Sequence, residues 1–337
     1  MGKGSAVVKL IQSRRKYLCA FAILAILATF IVWSSIAEAQ QFQQAQTPIV
    51  GRYPGGHTGL RNAAYPQEEG LGWFVFNRFH RDDSLKNASG QTIGGAASGS
   101  YTVVNGLEYV TDFKILGMKY GAMVAVPFIN GAYNRKSGPS AGAAESTMGI
   151  SDIIVMPLML FGTSQYLDYQ IAVGNFFPTG SYTAGSTLNR GAGYWEIMYS
   201  VGSAYYPTGD RKGFAISAVA RIEQNFRQPG TDIQPGDSIT VDFGIDHPIA
   251  FPANHKYIFD VGLSGFVTTQ ITRESGTNAA LNTTPYRLFA LGPEVDWIMP
   301  AYNSKLILRP QWEFGAVNMS QGWTVWLGFM HMFGNIF

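Results

Sequence analysis

The feature that most restricts this chain is a two-residue side-chain alternation that recurs from about residue 71 to the C-terminus. Tyr101, Val103, Leu107, Tyr109, Phe113 and Ile115 share one parity, and Thr102, Glu108, Asp112 and Lys114 the other. Leu167, Tyr169, Ile171 and Val173 likewise oppose Asp168 and Gln170. Ile216, Ala218, Ala220 and Ile222 oppose Ser217, Arg221 and Glu223. Ile239, Val241, Phe243 and Ile245 oppose Thr240, Asp242 and Asp246, and Phe259, Val261 and Leu263 oppose Asp260 and Ser264. Leu306, Leu308, Trp312 and Phe314 oppose Arg309, Gln311 and Glu313. Successive side chains of an extended backbone point to opposite faces, so each run is a strand with one apolar and one polar face.

Turn-forming residues separate the runs, for example Pro207-Thr208-Gly209-Asp210, Gln228-Pro229-Gly230 and Glu274-Ser275-Gly276. The pattern predicts twelve strands, near 71–81, 101–115, 118–131, 148–161, 164–177, 193–206, 212–226, 238–250, 256–270, 286–299, 304–317 and 322–337. A spacing of roughly 22 residues per strand and turn suits strands of about ten residues joined by short turns and longer loops. An even count brings both ends of the barrel to one side, the periplasmic one.

A soluble sandwich also alternates, but it hides its apolar side chains in a core. Here aromatics gather at the ends of the runs: Trp195, Tyr199, Tyr205, Tyr206, Trp297, Tyr302, Trp312, Trp323 and Trp326. Such girdles mark the two boundaries of a bilayer. The final run carries Trp323, Val325, Leu327, Phe329, Phe333 and Phe337 on one face, and its terminal aromatic resembles the signal that barrel-assembly machinery reads. The expected fold is all-β: a transmembrane antiparallel up-and-down β-barrel of about twelve strands, surrounded by outer-membrane lipid in a Gram-negative-type bacterium.

The N-terminus reads as a cleaved signal peptide over 1–39. Lys3, Lys9, Arg14, Arg15 and Lys16 precede an apolar stretch from Tyr17 to Trp33, and Ala37 and Ala39 form a small-residue cleavage pattern. Setting aside those five cations and Glu38, the totals of 24 basic and 22 acidic residues fall to 19 and 21, a net charge of −2. No basic patch remains for nucleic acid. Cys19, the only cysteine, lies within the signal, so no disulfide or thiolate chemistry is expected of the remainder. Residues 40–70 lack strand periodicity and suit a periplasmic tail or a plug entering the lumen; residues 71–337 form the barrel.

No nucleophile elbow, phosphate loop, zinc-protease or dinucleotide motif is present. His57, His80, His247, His255 and His331 are scattered without ligand-like spacing, so neither a metal, a cofactor nor a catalytic residue is expected. A barrel lipase would need a His and a Ser adjacent on the outer wall, and His331 is the histidine placed on that face. The better candidates are inward-facing charges: Glu108, Asp112, Lys114, Asp168, Arg221, Glu223, Asp242, Asp246, Asp260, Glu294, Asp296, Arg309 and Glu313. Rings of charge set pore permeability, although the same residues could equally serve to satisfy one another.

Several segments resemble an outer-membrane family labelled as the meta-pathway of phenol degradation. They run Asp152-Ile153-Ile154-Val155-Met156-Pro157, Phe177-Pro178-Thr179-Gly180-Ser181-Tyr182, Asn189 with Tyr194-Trp195, Ala204-Tyr205-Tyr206, Asn225, and Gln234-Pro235-Gly236-Asp237. Gly55-Gly56-His57 with Gly59-Leu60 is similar to the family's start. Where the family has Pro-Gly before its first strand and Asp after Pro-Thr-Gly, this chain has Gln67-Glu68-Glu69-Gly70 and Ser181. The resemblance implies passive passage of a small hydrophobic or aromatic ligand across the outer membrane. The other function compatible with the fold is a closed, adhesin-like barrel with binding loops. Pro178-Thr179-Gly180 and Pro235-Gly236-Asp237 read either as turn chemistry or as ligand contacts.

Overall fold

The structure, a computed structural model, describes residues 51–66, 68–135, 142–145, 148–183, 189–250, 257–276 and 284–334. The signal region and Phe337 lie outside the described residues. The alternating runs become β1 (Gly70–Lys86), β2 (Thr92–Ile115), β3 (Met118–Arg135), β6 (Ile153–Thr163), β7 (Leu167–Phe177), β8 (Glu196–Tyr205) and β9 (Ala215–Asn225). They continue as β10 (Ser238–Ala250), β11 (Ile258–Gln270), β12 (Arg287–Met299), β13 (Ser304–Val317) and β14 (Ser320–Gly334). Two short pieces, β4 (Gly142–Glu145) and β5 (Gly149–Ile150), pair with β3 off the main path.

Each long strand pairs antiparallel with its neighbours, and β1 closes on β14 from Leu71↔Gly334 to Leu85↔Ser320. The result among the described residues is a closed barrel of twelve strands, which leaves no edge exposed. None of the described helices is long and apolar enough to cross a membrane, so any crossing is made by strands. The predicted boundaries differ mainly at two places. β2 begins at Thr92 rather than 101, because backbone pairing with β1 continues through a Gly- and Ala-rich stretch that carries no alternation. The run predicted over 148–161 is broken: β5 ends at Ile150, and β6 starts at Ile153 and is offset by a register shift around Pro157. Proline donates no hydrogen bond and belongs at such irregularities.

The strand order defines two ends. The connections after β2, β6, β8, β10 and β12 lie at one end with the start of β1 and the end of β14; the longer connections, after β3, β7, β9 and β11, lie at the other. They are called here the turn end and the loop end.

The outer wall is apolar. Leu263 and Leu308 are 51% and 47% exposed, whereas the inward-facing Asp260 and Arg309 on the same strands are 1% and 2% exposed. This inverts the arrangement of a soluble protein and is what a lipid-facing wall demands. Aromatic pairs stand on the outer wall near both ends: Phe259 stacks on Trp297 toward the turn end, and Phe177 meets Trp195 at the loop end. Two residues expected in the girdle point inward instead. Trp326 is fully buried against Phe76, and Tyr206 is fully buried with its hydroxyl 3.0 Å from Asp168. Trp326 has the inward parity of β14, opposite Trp323, as its pairing with Arg78 and Arg309 shows.

Candidate functional site

Inside the wall, residues 51–66 run from the loop end to the turn end. At the loop end Gly51 N–H donates to the Tyr286 hydroxyl, and Arg52 lies over the Tyr194 ring with Nη1 3.0 Å from Asp152. Midway, Tyr53 N–H donates to Glu223 at 2.6 Å, its hydroxyl donates to Asp242, and Gly56 N–H donates to Asp242 at 2.8 Å. Arg309 Nη1 donates to the carbonyls of Gly56 and His57. Nearer the turn end Arg61 bridges Asp246 and Asp260, 2.7 and 2.8 Å away. Tyr65 N–H then donates to Asp168, and Lys119 donates to the Pro66 carbonyl. The chain enters β1 from there. Although β1 starts beside the end of β14, residue 51 therefore sits at the opposite end, so the expectation that both ends share one side holds for the wall and fails for the segment before it.

The glycines of this segment are needed for close approach. Gly56 adopts φ +77°, and a Cβ there would stand 2.0 Å from Gln311. A Cβ on Gly59 would stand 2.0 Å from Glu294. At these two positions any side chain would collide with the wall, which only glycine avoids.

Of the inward charges read from sequence, Asp168, Arg221, Glu223, Asp242, Asp246, Asp260, Glu294, Asp296, Arg309 and Glu313 are buried in the interior. They pair with one another or with neighbouring groups. Arg221 meets Asp242 at 3.0 Å, Lys305 meets Asp296 at 2.9 Å, and Arg309 meets Glu294 at 2.7 Å. Asp168 takes Arg211, and Glu313 accepts from Gly322 N–H. Asp112 and Lys114 are a correction: both are exposed. β1 stops pairing with β2 at Val110, and a register shift follows before Lys114, so this hairpin projects past the rim. Glu108 faces inward and is only partly buried.

The charges do not ring the lumen evenly; they crowd onto β7–β13. The inward positions of β14, β1, β2, β3 and β6 are mostly apolar: Met330, Phe74, Phe76, Val104, Met123, Ala125, Ile154 and Met156. They form a packed cluster with Ile307 and Trp326, and a second cluster joins Met156 to Phe176, Met198 and Tyr53. Residues 51–66 thus bind the charged wall through their backbone and cations and turn His57 toward the apolar wall, while Tyr53 reaches both, its hydroxyl on Asp242 and its ring against Met156 and Phe176. His57 meets Phe76 and Trp326 at ring distances of 4.8 and 5.1 Å. Burial, followed by the charges of Arg309, Arg221 and Arg78, pushes its pKa down to about 3. The sequence could not show this division, since parity says which side chains point inward and not which strands share a sector.

The family-motif residues build the loop end. Asp152 accepts from Gly180 N–H and Ala192 N–H as well as pairing with Arg52. Thr179 accepts from Ile153 N–H and donates to the Ser151 carbonyl, Tyr182 packs on Gly193, and Asn189 bonds Thr183 in both directions. Trp195 is exposed beside Phe177, and the Pro157 carbonyl accepts from Tyr120 on the outer wall. Asp237 accepts from Asn225 N–H, whose side chain donates to the Gly236 carbonyl, with Pro235 in the same turn. These are turn and clasp contacts.

Two groupings were invisible in the sequence. His80, Asp82 and Glu313 offer ligand atoms within 4.8 Å of one another, but His80 already bonds Thr324 through Nδ1 and Asp82 through Nε2, which satisfies the cluster without an ion. On the outer wall Ser304 Oγ lies 2.8 Å from His331 Nδ1, the adjacency a lipase would need. The hydroxyl also lies 2.7 Å from the Tyr302 carbonyl as a donor to it, and the direction of the Ser304–His331 bond follows the His331 tautomer.

Among solved structures the chain is similar to an outer-membrane channel from Pseudomonas putida F1, with TM-score 0.65 and 14% identity over 84% of this chain and 100% of that one. The β domain of the Bordetella autotransporter BrkA gives 0.47 and 12% identity, over 79% of this chain and all of the other. The first shares the fold, that of an outer-membrane β-barrel. No curated protein matches significantly. Residues 81–329 match the family described as "MetA-pathway of phenol degradation", and with most of its barrel inside that match, the chain belongs to this family.

Proposed function

We propose that the protein is a passive outer-membrane channel for small hydrophobic or aromatic compounds, with residues 51–66 as its plug and the strand leading to Phe337 as its address for barrel-assembly machinery. One observation carries the reading. The buried charges of the wall are engaged by one another and by the plug, whereas the opposite wall offers Met, Phe and Val to whatever passes. Unbranched, polarizable Met side chains adapt to ligands of varied shape. The sector is tightly packed, so passage requires the methionines or the plug to yield, and flux is slow and selective.

The filled interior also favours a second reading, a sealed barrel whose loops bind partners. Single-channel conductance of the purified protein, together with uptake of radiolabelled toluene by cells with and without it, separates the two. The channel reading expects conductance and protein-dependent toluene uptake; a sealed barrel shows neither.

A further inference from the structure

We infer that Glu108 is a station for the hydrogen-bond donor of a permeating aromatic molecule, a phenol or an aromatic amine, and a barrier to aromatic anions. This rests on the channel reading above. Glu108 lies on β2 among inward positions: Thr102, Val104 and Val110 are buried, while Leu107 is exposed on the outer wall. Its cross-strand partners are Gly72 on β1 and Met123 on β3, and the next residues across are Met332 and Met156. The sector around the carboxylate is thus apolar on both sides.

Among the described residues, no hydrogen bond or ion pair engages the Glu108 carboxylate. Lys119, the cation on the adjacent strand β3, is spent on Glu69 at 3.0 Å and on the Pro66 carbonyl. Each of the other inward carboxylates named above has a partner, whereas Glu108 keeps its acceptors open and remains partly accessible. An unpaired carboxylate in an apolar wall binds an O–H or N–H donor more strongly than a neutral acceptor would, and repels a second anion. A ring bearing a neutral hydroxyl or amino group meets both demands of the site, apolar surface for the ring and a charged acceptor for the donor. Toluene meets only the first, and benzoate is opposed by the second.

The test is uptake of radiolabelled toluene, phenol, aniline and benzoate by cells whose lipopolysaccharide barrier is intact, carrying equal amounts of folded, heat-modifiable barrel. Compared are the native chain, Glu108→Gln and Glu108→Leu. The expected result is a protein-dependent preference for phenol and aniline over toluene that falls by about tenfold in Glu108→Leu, with toluene uptake unchanged. Glu108→Gln retains hydrogen bonding without the charge, so it should keep part of the preference and admit benzoate. If Glu108→Leu fails to assemble, the benzoate arm of Glu108→Gln decides. Unaltered phenol-to-toluene and benzoate-to-toluene ratios in the variants overturn the assignment of Glu108 while leaving the channel intact. Absence of protein-dependent toluene uptake in the native chain overturns the channel reading and this inference with it.

Discussion

Arg309 on β13 grips Glu294 on β12 through two hydrogen bonds of 2.7 Å each, and the nitrogen left over holds the Gly56 and His57 carbonyls of the plug. A bidentate pair fixes geometry as well as charge, so this contact registers the plug against the wall. Replacing Arg309 with Met strands Glu294 in the interior and should cost roughly 3–5 kcal/mol. The double change Arg309→Met with Glu294→Met removes the stranded charge and should recover much of that loss, yet leave the plug loosened. Denaturant unfolding in detergent micelles reads the first effect, and hydrogen exchange at residues 53–60 the second. Equal stability of the single and double variants would contradict this account.

The loop end depends on Asp152, which joins Arg52 of the plug to the Gly180 and Ala192 amides. Asp152→Ala leaves the two amides without their acceptor and Arg52 with only the more distant Glu196, 3.7 Å away, at a cost of about 1–3 kcal/mol. Faster proteolysis within 178–195, with the barrel core still resistant, is the expected outcome. Unchanged cleavage would show that the clasp contributes nothing.

His57 gives the plug a pH dependence whose sign follows from its depressed pKa. The seated plug holds His57 neutral down to about pH 3, whereas the ring freed into water takes a proton near its ordinary value of 6.5. The released form binds more protons, so seating is fully favoured above about pH 6.5 and weakens as pH falls below it, by at most tenfold or so per pH unit. Open-channel frequency in planar bilayers should rise between pH 7.5 and 5. Replacing His57 with Gln should flatten that response; a response that survives the substitution belongs to another group.

On the outer wall a charge has nowhere to go. Leu263, midway along β11 and half exposed, should lose about 2–4 kcal/mol of stability on replacement by Arg in lipid vesicles, as expected for a lipid-facing position near the bilayer midplane. Folding titrations in phospholipid vesicles measure this. A neutral result would mean that this face does not meet lipid.

The strand count, the inward or outward sense of most side chains and the membrane-barrel fold were legible in the chain, because period-two alternation is a local property of extended backbone. Where the local rule lapsed, the reading lapsed. The Gly- and Ala-rich start of β2 has no alternation to count, and the hairpin carrying Asp112 and Lys114 continues the alternation beyond the last residue that β1 pairs. Trp326 was placed with the girdle aromatics by residue type, although its parity places it inside.

By itself the sequence determined a sheet that must close, greasy outside and polar within, since no other arrangement of such strands satisfies every backbone hydrogen bond in lipid. Only the tertiary structure decided what fills the interior. Ion pairs such as Arg61 with Asp260 or Arg52 with Asp152 join residues a hundred or more positions apart, and which partners meet depends on how closure stacks twelve strands around one segment. The separation of a charged wall from a methionine-rich one, with Glu108 left unpaired on the latter, arises from that stacking, which no local spacing encodes.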